Sequence, residues 1–418
     1  MSVIKQRCRS VGAYLQTFLK WTLCAVAAGL LCGAVGAVFH LCVNYVTQLR
    51  DEHRWLLYCL PIAGLLIVGI YQLAGMLGDQ GTNTVIRSIR SAERVPLRMA
   101  PLIFVSTVLS HLCGASVGRE GAALQIGGSL GHFLGRFLRL EEKDLHIITM
   151  CGMSAVFSAL FGTPVTAAIF SMEVISVGIM YYVAFLPCIL SALIAHLVTG
   201  AMGAVPEKFS QVAVQGLDVT ILIKVGILAA ACAGISIVFC VFLHRSERFC
   251  RAKMTNPYLR IALGGIVTIC LVEVIGSRDY CGAGMDVIMR ALEGTARPDA
   301  FFWKMLLTAV ALGAGYKGGE IVPTLFVGAV FGNTLGGLVG LEPALGAAIG
   351  MVSLFCGVVN CPIAALFLGI ELFGVQGLAL FAAASAVSYL LSGYYSLYSS
   401  QKIVYSKLHP DYIDRQAK

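Results

Sequence analysis

The chain has 418 residues, of which 58% are hydrophobic and 12% charged, and its formal net charge is +8. A soluble globular domain carries about twice that share of charged residues, so the composition excludes one and indicates a polytopic membrane protein. The basic residues cluster at Lys5 to Arg9, Arg87 to Arg98, Arg136 to Lys143 and Arg245 to Arg260. They flank apolar runs without aromatic interleaving, as cytoplasmic juxtamembrane loops do, and no nucleic-acid partner is expected.

Residues 1 to 18 form a basic, partly amphipathic cytoplasmic segment. The apolar run that follows is longer than the roughly 7 to 15 residues of a signal-peptide core and lacks a clean cleavage site, so it is a first membrane helix, reaching about Gln48. A charged loop, Leu49 to Arg54, precedes a second helix from about Trp55 to Leu77. Uncharged stretches that meet the roughly 20 residues of a bilayer crossing occur at Trp21 to Val46, Leu56 to Gly75, Val225 to Leu243 and Ala344 to Ile370. Other apolar segments are shorter and cut by Gly or Pro. Such broken segments suit a transporter with a buried site, because irregular backbone survives at membrane depth only where it lines a cavity.

The turn-like run Gly78-Asp79-Gln80-Gly81-Thr82-Asn83 ends the second helix, and a basic segment and a short apolar one, Pro101 to Cys113, lead to the central stretch, Gly118-Arg119-Glu120-Gly121 and on to Gly131. There an ion pair stands in apolar surroundings, and a charge at membrane depth is by default functional. Glu120 has no helical partner at Ala123 or Leu124. A helix starting here would aim unpaired N–H groups and its positive dipole end at an anion. The same groups would hold an ionised Glu120, so carboxylate and anion compete for one place, which makes a gate.

Beyond it, Gly152 to Val174 is apolar except at Thr163-Pro164 and Glu173, and another span covers about Tyr181 to Met202. The polar stretch 203–217 is the natural linker between two halves, a first transmembrane repeat at 19–202 and a second at 218–402, with a cytoplasmic tail at 403–418. In the second half two long apolar segments precede a loop at Gly276 to Gly284, an interfacial helix at Met285 to Leu292 and a span from Phe301 into Gly313-Ala314-Gly315-Tyr316-Lys317-Gly318-Gly319-Glu320. The G-x-G-x-x-G match in that run is not a dinucleotide site, because no strand precedes it in a βαβ unit. The fifteen cysteines are scattered without a C-x-x-C pair and read as small hydrophobes. The eight histidines are dispersed, and His111 reads as an interior histidine. Neither a metal nor a cofactor is expected. An intramembrane enzyme with Glu120 as base would need a second polar partner set, which the sequence lacks.

An internal repeat is the main architectural clue. Gly118, Gly127 and Gly131 are spaced 9 and 4, as are Gly319, Gly328 and Gly332; Gly152, Pro164 and Glu173 are spaced 12 and 9, as are Gly350, Pro362 and Glu371. A duplicated unit follows, with two helix N-termini converging on one midplane site. Spacing alone leaves parallel and inverted halves open. Glu173 and Glu371 read as buried carboxylates that pair with Arg119 or Lys317 or bond backbone at helix ends.

On Gly118-Arg119-Glu120-Gly121, on Gly318-Gly319-Glu320-Ile321-Val322-Pro323 and on Tyr398, the chain resembles the CLC family of chloride channels and anion/proton antiporters over roughly residues 20 to 402. The resemblance implies an all-α, inverted-repeat fold with broken helices, a homodimer with one pore per subunit in the plasma membrane, and Glu120 as gating and proton-carrying residue. It implies an anion site formed by Gln80, Gly81, Gly118, Arg119, Gly121, Glu320, Ile321, Val322 and Tyr398. Gly81-Thr82-Asn83, Lys317-Gly318-Gly319-Glu320, Gly369 to Gly374 and Phe326 are similar to the fluoride/proton antiporter branch, which adds Phe326 as a pore aromatic.

Departures sharpen the question. The family's first anion motif has a serine where this chain has Gln80, and the fluoride branch has a methionine there. Ile-Pro is replaced by Thr82-Asn83, Ala122 stands for a common proline, and Val174 stands where exchangers carry an internal proton glutamate. No regulatory domain is expected after Tyr398. Transport of chloride or fluoride, by exchange for protons or through a passive channel, is the expected function, and both pairs of alternatives stay open on the sequence.

Overall fold

The computed structural model describes residues 2–91, 93–206, 209, 212 and 216–418, with residues 2–11 as backbone only. Its first half holds α1 (Ser2–Glu52), α2 (Leu60–Leu73), α3 (Thr82–Arg90), α4 (Met99–Leu112), α5 (Glu120–Phe137), α6 (Glu142–Phe161), α7 (Pro164–Glu173) and α8 (Phe185–Ala201). Its second half holds α9 (Val219–Lys253), α10 (Pro257–Ile275), α11 (Met285–Leu292), α12 (Ala300–Ala314), α13 (Ile321–Leu338), α14 (Pro343–Val359), α15 (Pro362–Phe373) and α16 (Leu378–Leu391). Among the described residues seven helices are long and apolar enough to cross a bilayer, and several shorter apolar ones accompany them. Part of the expected linker, residues 207–208, 210–211 and 213–215, lies outside the described residues.

Three boundaries differ from the sequence reading. The basic leading segment and the first span are one helix, α1, since no proline interrupts residues 2 to 52. The second helix stops at Leu73 rather than Leu77, where Gly75 turns left-handed at φ +64°. Ala344 to Ile370, uncharged throughout, is not one crossing: Asn360 takes φ +56° and Pro362 starts a new helix at its first turn, where its missing N–H costs nothing.

The repeated positions perform repeated jobs. Gly118 and Gly319 form an antiparallel bridge, with Gly118 N–H donating to Gly319 O at 2.6 Å and Gly319 N–H to Gly118 O at 2.7 Å. Gly127 and Gly131 on α5 pack against Gly152 on α6, and Gly328 and Gly332 on α13 pack against Gly350 on α14, so closely that a methyl group at any of them would collide with backbone. Bare backbones in contact are how helices associate without a hydrophobic drive between them. Pro164 and Pro362 open α7 and α15. Exchange of like interactions in both directions is the mark of a two-fold relation between the halves.

A small sheet closes the second half. Strands β1 (Ser176–Val177), β2 (Lys402–Tyr405) and β3 (Tyr412–Gln416) pair in that order, β1 parallel to β2 and β2 antiparallel to β3. The expected tail at 403–418 therefore folds back onto the helices, where Val177 and Ile403 are buried. All fourteen described cysteines are free, and most are buried as single apolar side chains.

Candidate functional site

The bridge between Gly118 and Gly319 sets the first turns of α5 and α13 side by side, and both turns present unpaired N–H groups. Glu120 is 1% exposed. Its Oε2 accepts from the Arg119 N–H at 3.0 Å and from the Val322 N–H at 3.4 Å, so the carboxylate of one repeat lies on the helix N-terminus of the other. Its Oε1 is 3.6 Å from Arg119 Nε. A carboxylate held by backbone N–H groups occupies ground that suits a small anion equally well.

Arg119 is itself buried, and its Nη1 donates to Asn44 Oδ1 at 2.9 Å, while Asn44 Nδ2 meets His40 Nε2 at 2.9 Å. On the other side Glu320 Oε2 is buried without a hydrogen-bond partner among the described residues and lies against Gly121. Room for it exists because Gly121 has no side chain. Ile321 and Val322 are buried at the start of α13. Phe326, fully buried one turn on, lies 5.2 Å from the Lys304 ammonium and 6.2 Å from the Tyr280 ring.

The first glycine-rich turn reaches the same region. Gly81, at φ +60°, starts α3, and its Cα faces the Gln125 amide. Thr82 Oγ1 donates to Gly121 O at 3.3 Å, and Gln125 Nε2 donates to Gly121 O at 3.1 Å. Asn83 Oδ1 accepts the Ser400 N–H at 2.9 Å, which ties this turn to the segment bearing Tyr398. Tyr398 is 1% exposed, yet its hydroxyl has no partner among the described residues. It lies within electrostatic range of the Glu320 and Glu120 carboxyls. Gln80, by contrast, is exposed, and its side chain makes no hydrogen bond among the described residues.

A cleft of about 880 Å³ opens at the Glu52 end of α1 and has Asn44, Arg50, Arg54, His111, Arg119 and Arg278 in its wall. His111 Nδ1 donates to Thr107 O at 2.9 Å, but its Nε2 is buried without a partner, so the ring is only half satisfied. The sequence reading had no role for Asn44, His40, Gln125 or Ser400. A polar residue four positions from a histidine inside the apolar run of α1 was the available signal for the first two.

Comparison with known proteins decides the family. The profile described as "Voltage gated chloride channel" matches residues 63–393. The chain belongs to that family, the CLC family. A "Chloride/fluoride channel protein" of Pseudomonas syringae pv. tomato is 37% identical over 400 residues, covering 93% of this chain and 88% of the relative. The "H(+)/Cl(-) exchange transporter ClcA" of Vibrio vulnificus is 25% identical over 390 residues, covering 83% and 81%. Among solved structures a CLC-type fluoride/proton antiporter superposes with a TM-score of 0.89 at 30% identity, covering 92% of this chain and 98% of that one. A slow cyanobacterial Cl-/H+ antiporter matches in fold, with a TM-score of 0.76 at 19% identity. As a CLC protein the chain is a membrane transport protein and not an intramembrane enzyme.

Proposed function

We propose that this CLC protein exchanges a small inorganic anion for protons, with Glu120 as both gate and proton carrier. The observation that carries this reading is the bond from Val322 N–H to Glu120 Oε2. When ionised, the carboxylate blocks the N-terminus of α13; when protonated, it loses its hold on the N–H groups and yields the place to an anion. Burial disfavours the charge while Arg119 and the N–H groups favour it, so a proton on the carboxylate and its hold on the α13 N-terminus oppose each other. Glu320, with a buried oxygen, and the Tyr398 hydroxyl, both without a hydrogen-bond partner among the described residues, complete the surroundings of the anion.

Fluoride is the anion to test first. The fluoride/proton antiporter structure covers nearly the whole chain, and the Pseudomonas relative is named for chloride and fluoride. With the basic leading segment of α1 in the cytoplasm, the 880 Å³ cleft faces outward. Gln80 and Gly81 belong to the opposite, inner approach. The working unit is a homodimer in the plasma membrane.

Proteoliposomes loaded with fluoride or chloride test the proposal. Exchange predicts that anion efflux takes protons inward, makes the outer medium alkaline, and can be driven uphill by a proton gradient. Efflux without proton movement would assign the passive channel instead.

A further inference from the structure

Asn44 and His40 lie one helical turn apart on the inner face of α1, outside the expected anion site, which Asn44 meets only through Arg119. The Asn44 amide has a fixed sense. Its Oδ1 accepts from Arg119 Nη1, and its Nδ2, which can only donate, is 2.9 Å from His40 Nε2. His40 Nε2 is therefore an acceptor, and the ring is neutral with its proton on Nδ1. Both ends of the amide are specified, one by a cation and one by a lone pair.

The consequence falls on Arg119. Its Nη1 is held by α1, whereas its Nε is buried without a hydrogen-bond partner among the described residues and stops 3.6 Å from Glu120 Oε1. That separation is beyond a hydrogen bond, so the ion pair is incomplete. A small rotation of the guanidinium would close it. The other ionisable groups near Glu120 are Glu320 on the α13 side and Tyr398. Arg50, Arg54 and His111 share the cleft wall with Arg119.

We propose that Asn44, oriented by His40, is a positioning residue that holds Arg119 back from Glu120 and thereby sets how readily the gate accepts a proton. This rests on the reading of Glu120 as the gate. Without the tether Arg119 completes the ion pair, which favours the ionised, blocking carboxylate. With a stronger tether Arg119 is drawn further toward α1, and the carboxylate protonates more easily.

The test is the rate of proton-coupled anion transport against pH for the full chain in liposomes. Asn44→Leu is expected to move the midpoint of the profile about one unit toward acid, a tenfold higher proton concentration for the same rate. Asn44→Asp, which takes Arg119 with a charge and adds a negative group near Glu120, is expected to move it toward alkaline pH. His40→Leu follows Asn44→Leu, whereas His40→Gln, which keeps an acceptor, retains the profile. In a Glu120→Gln background the same substitutions leave whatever anion flux that variant retains unchanged. Opposite shifts from Asn44→Leu and Asn44→Asp are not what general damage to α1 produces. Shifts of the same sign, no shifts, or equal effects with and without Glu120 would overturn the proposal. Should Asn44→Leu fail to fold, Asn44→Asp and the His40 pair give the same decision. Glu120→Gln protein that still couples protons would remove the gate reading itself, whereas loss of coupling with silent Asn44 variants would remove only the tether.

Discussion

Glu173 and Glu371 each cap the helix that carries the other. The Glu173 carboxylate accepts the Ile363 and Ala364 N–H groups at 3.2 and 2.8 Å, and the Glu371 carboxylate accepts the Val165 and Thr166 N–H groups at 2.9 and 2.8 Å. These are first-turn donors of α15 and α7, which no intrahelical acceptor can satisfy. Of the two roles the sequence allowed, backbone capping is realised and pairing with Arg119 or Lys317 is not.

Glu173→Gln and Glu371→Gln should therefore weaken the junction between the repeats. An amide offers one acceptor where a carboxylate offers two and carries no charge, so each substitution loses one charge-assisted bond, at a cost of about 1.5 to 3 kcal/mol, and leaves the other a neutral one. Thermal unfolding in detergent should show a lowered midpoint for each, while proton coupling persists in the protein that remains folded. Loss of coupling at unchanged stability would assign these carboxylates to proton transfer instead.

Gly328 and Gly337 lie on the same helix and should respond oppositely to alanine. A Cβ on Gly328 would fall 2.6 Å from the Gly350 carbonyl oxygen, whereas one on Gly337 meets nothing within 4 Å. Gly328→Ala must push α13 and α14 apart and is expected to cost about 1 to 3 kcal/mol. Gly337→Ala gains helix propensity of up to about 1 kcal/mol. Thermal unfolding of the two variants side by side measures the difference.

What the sequence disclosed follows from repetition. Bridge glycines, packing glycines, opening prolines and capping glutamates recur because an inverted fold needs each twice, and two copies of one spacing stand out where a single copy would not. Asn44 and His40 are not among the repeated spacings and act through a residue 75 positions from Asn44, so α1 looks like any apolar span. The break inside Ala344 to Ile370 was hidden for another reason. Composition registers charge, and that turn is made with Asn360 and Pro362 and no charge at all.

Tyr398→Phe separates affinity from stability. The hydroxyl is buried and bonds nothing among the described residues, so its removal forfeits no internal bond and should leave unfolding unchanged or slightly raised. If the hydroxyl donates to a bound anion, the loss of that charge-assisted bond, about 1.5 to 3 kcal/mol, weakens anion binding some 10- to 150-fold. Isothermal titration with fluoride and chloride reads the change directly.

Gln80 is exposed at the start of α3, beside the turn that leads through Thr82 to Gly121. Its amide is a neutral donor on a longer stem than serine. Gln80→Ser and Gln80→Met are expected to change the ratio of fluoride to chloride transport while stability and assembly stay as they are, since the side chain makes no hydrogen bond among the described residues. Unchanged selectivity in both variants would take Gln80 out of the anion path.

Glu120→Gln bears on the whole mechanism. Glutamine has nearly the shape of the carboxylic acid but cannot ionise, so it copies the protonated gate at every pH. Placing an acidic charge at the bilayer midplane costs on the order of 2.5 to 3.5 kcal/mol even on the most lenient scale, and here Arg119 and the Val322 N–H offset that cost only while the proton is off. The wild-type rate should fall as rising pH keeps the ionised carboxylate on the N-terminus of α13. In Glu120→Gln that pH dependence should vanish together with proton movement, leaving either an anion leak or a blocked protein according to whether the amide vacates the site. Parallel recordings of anion efflux and external pH from liposomes distinguish these outcomes, and uphill proton pumping by Glu120→Gln would overturn the mechanism.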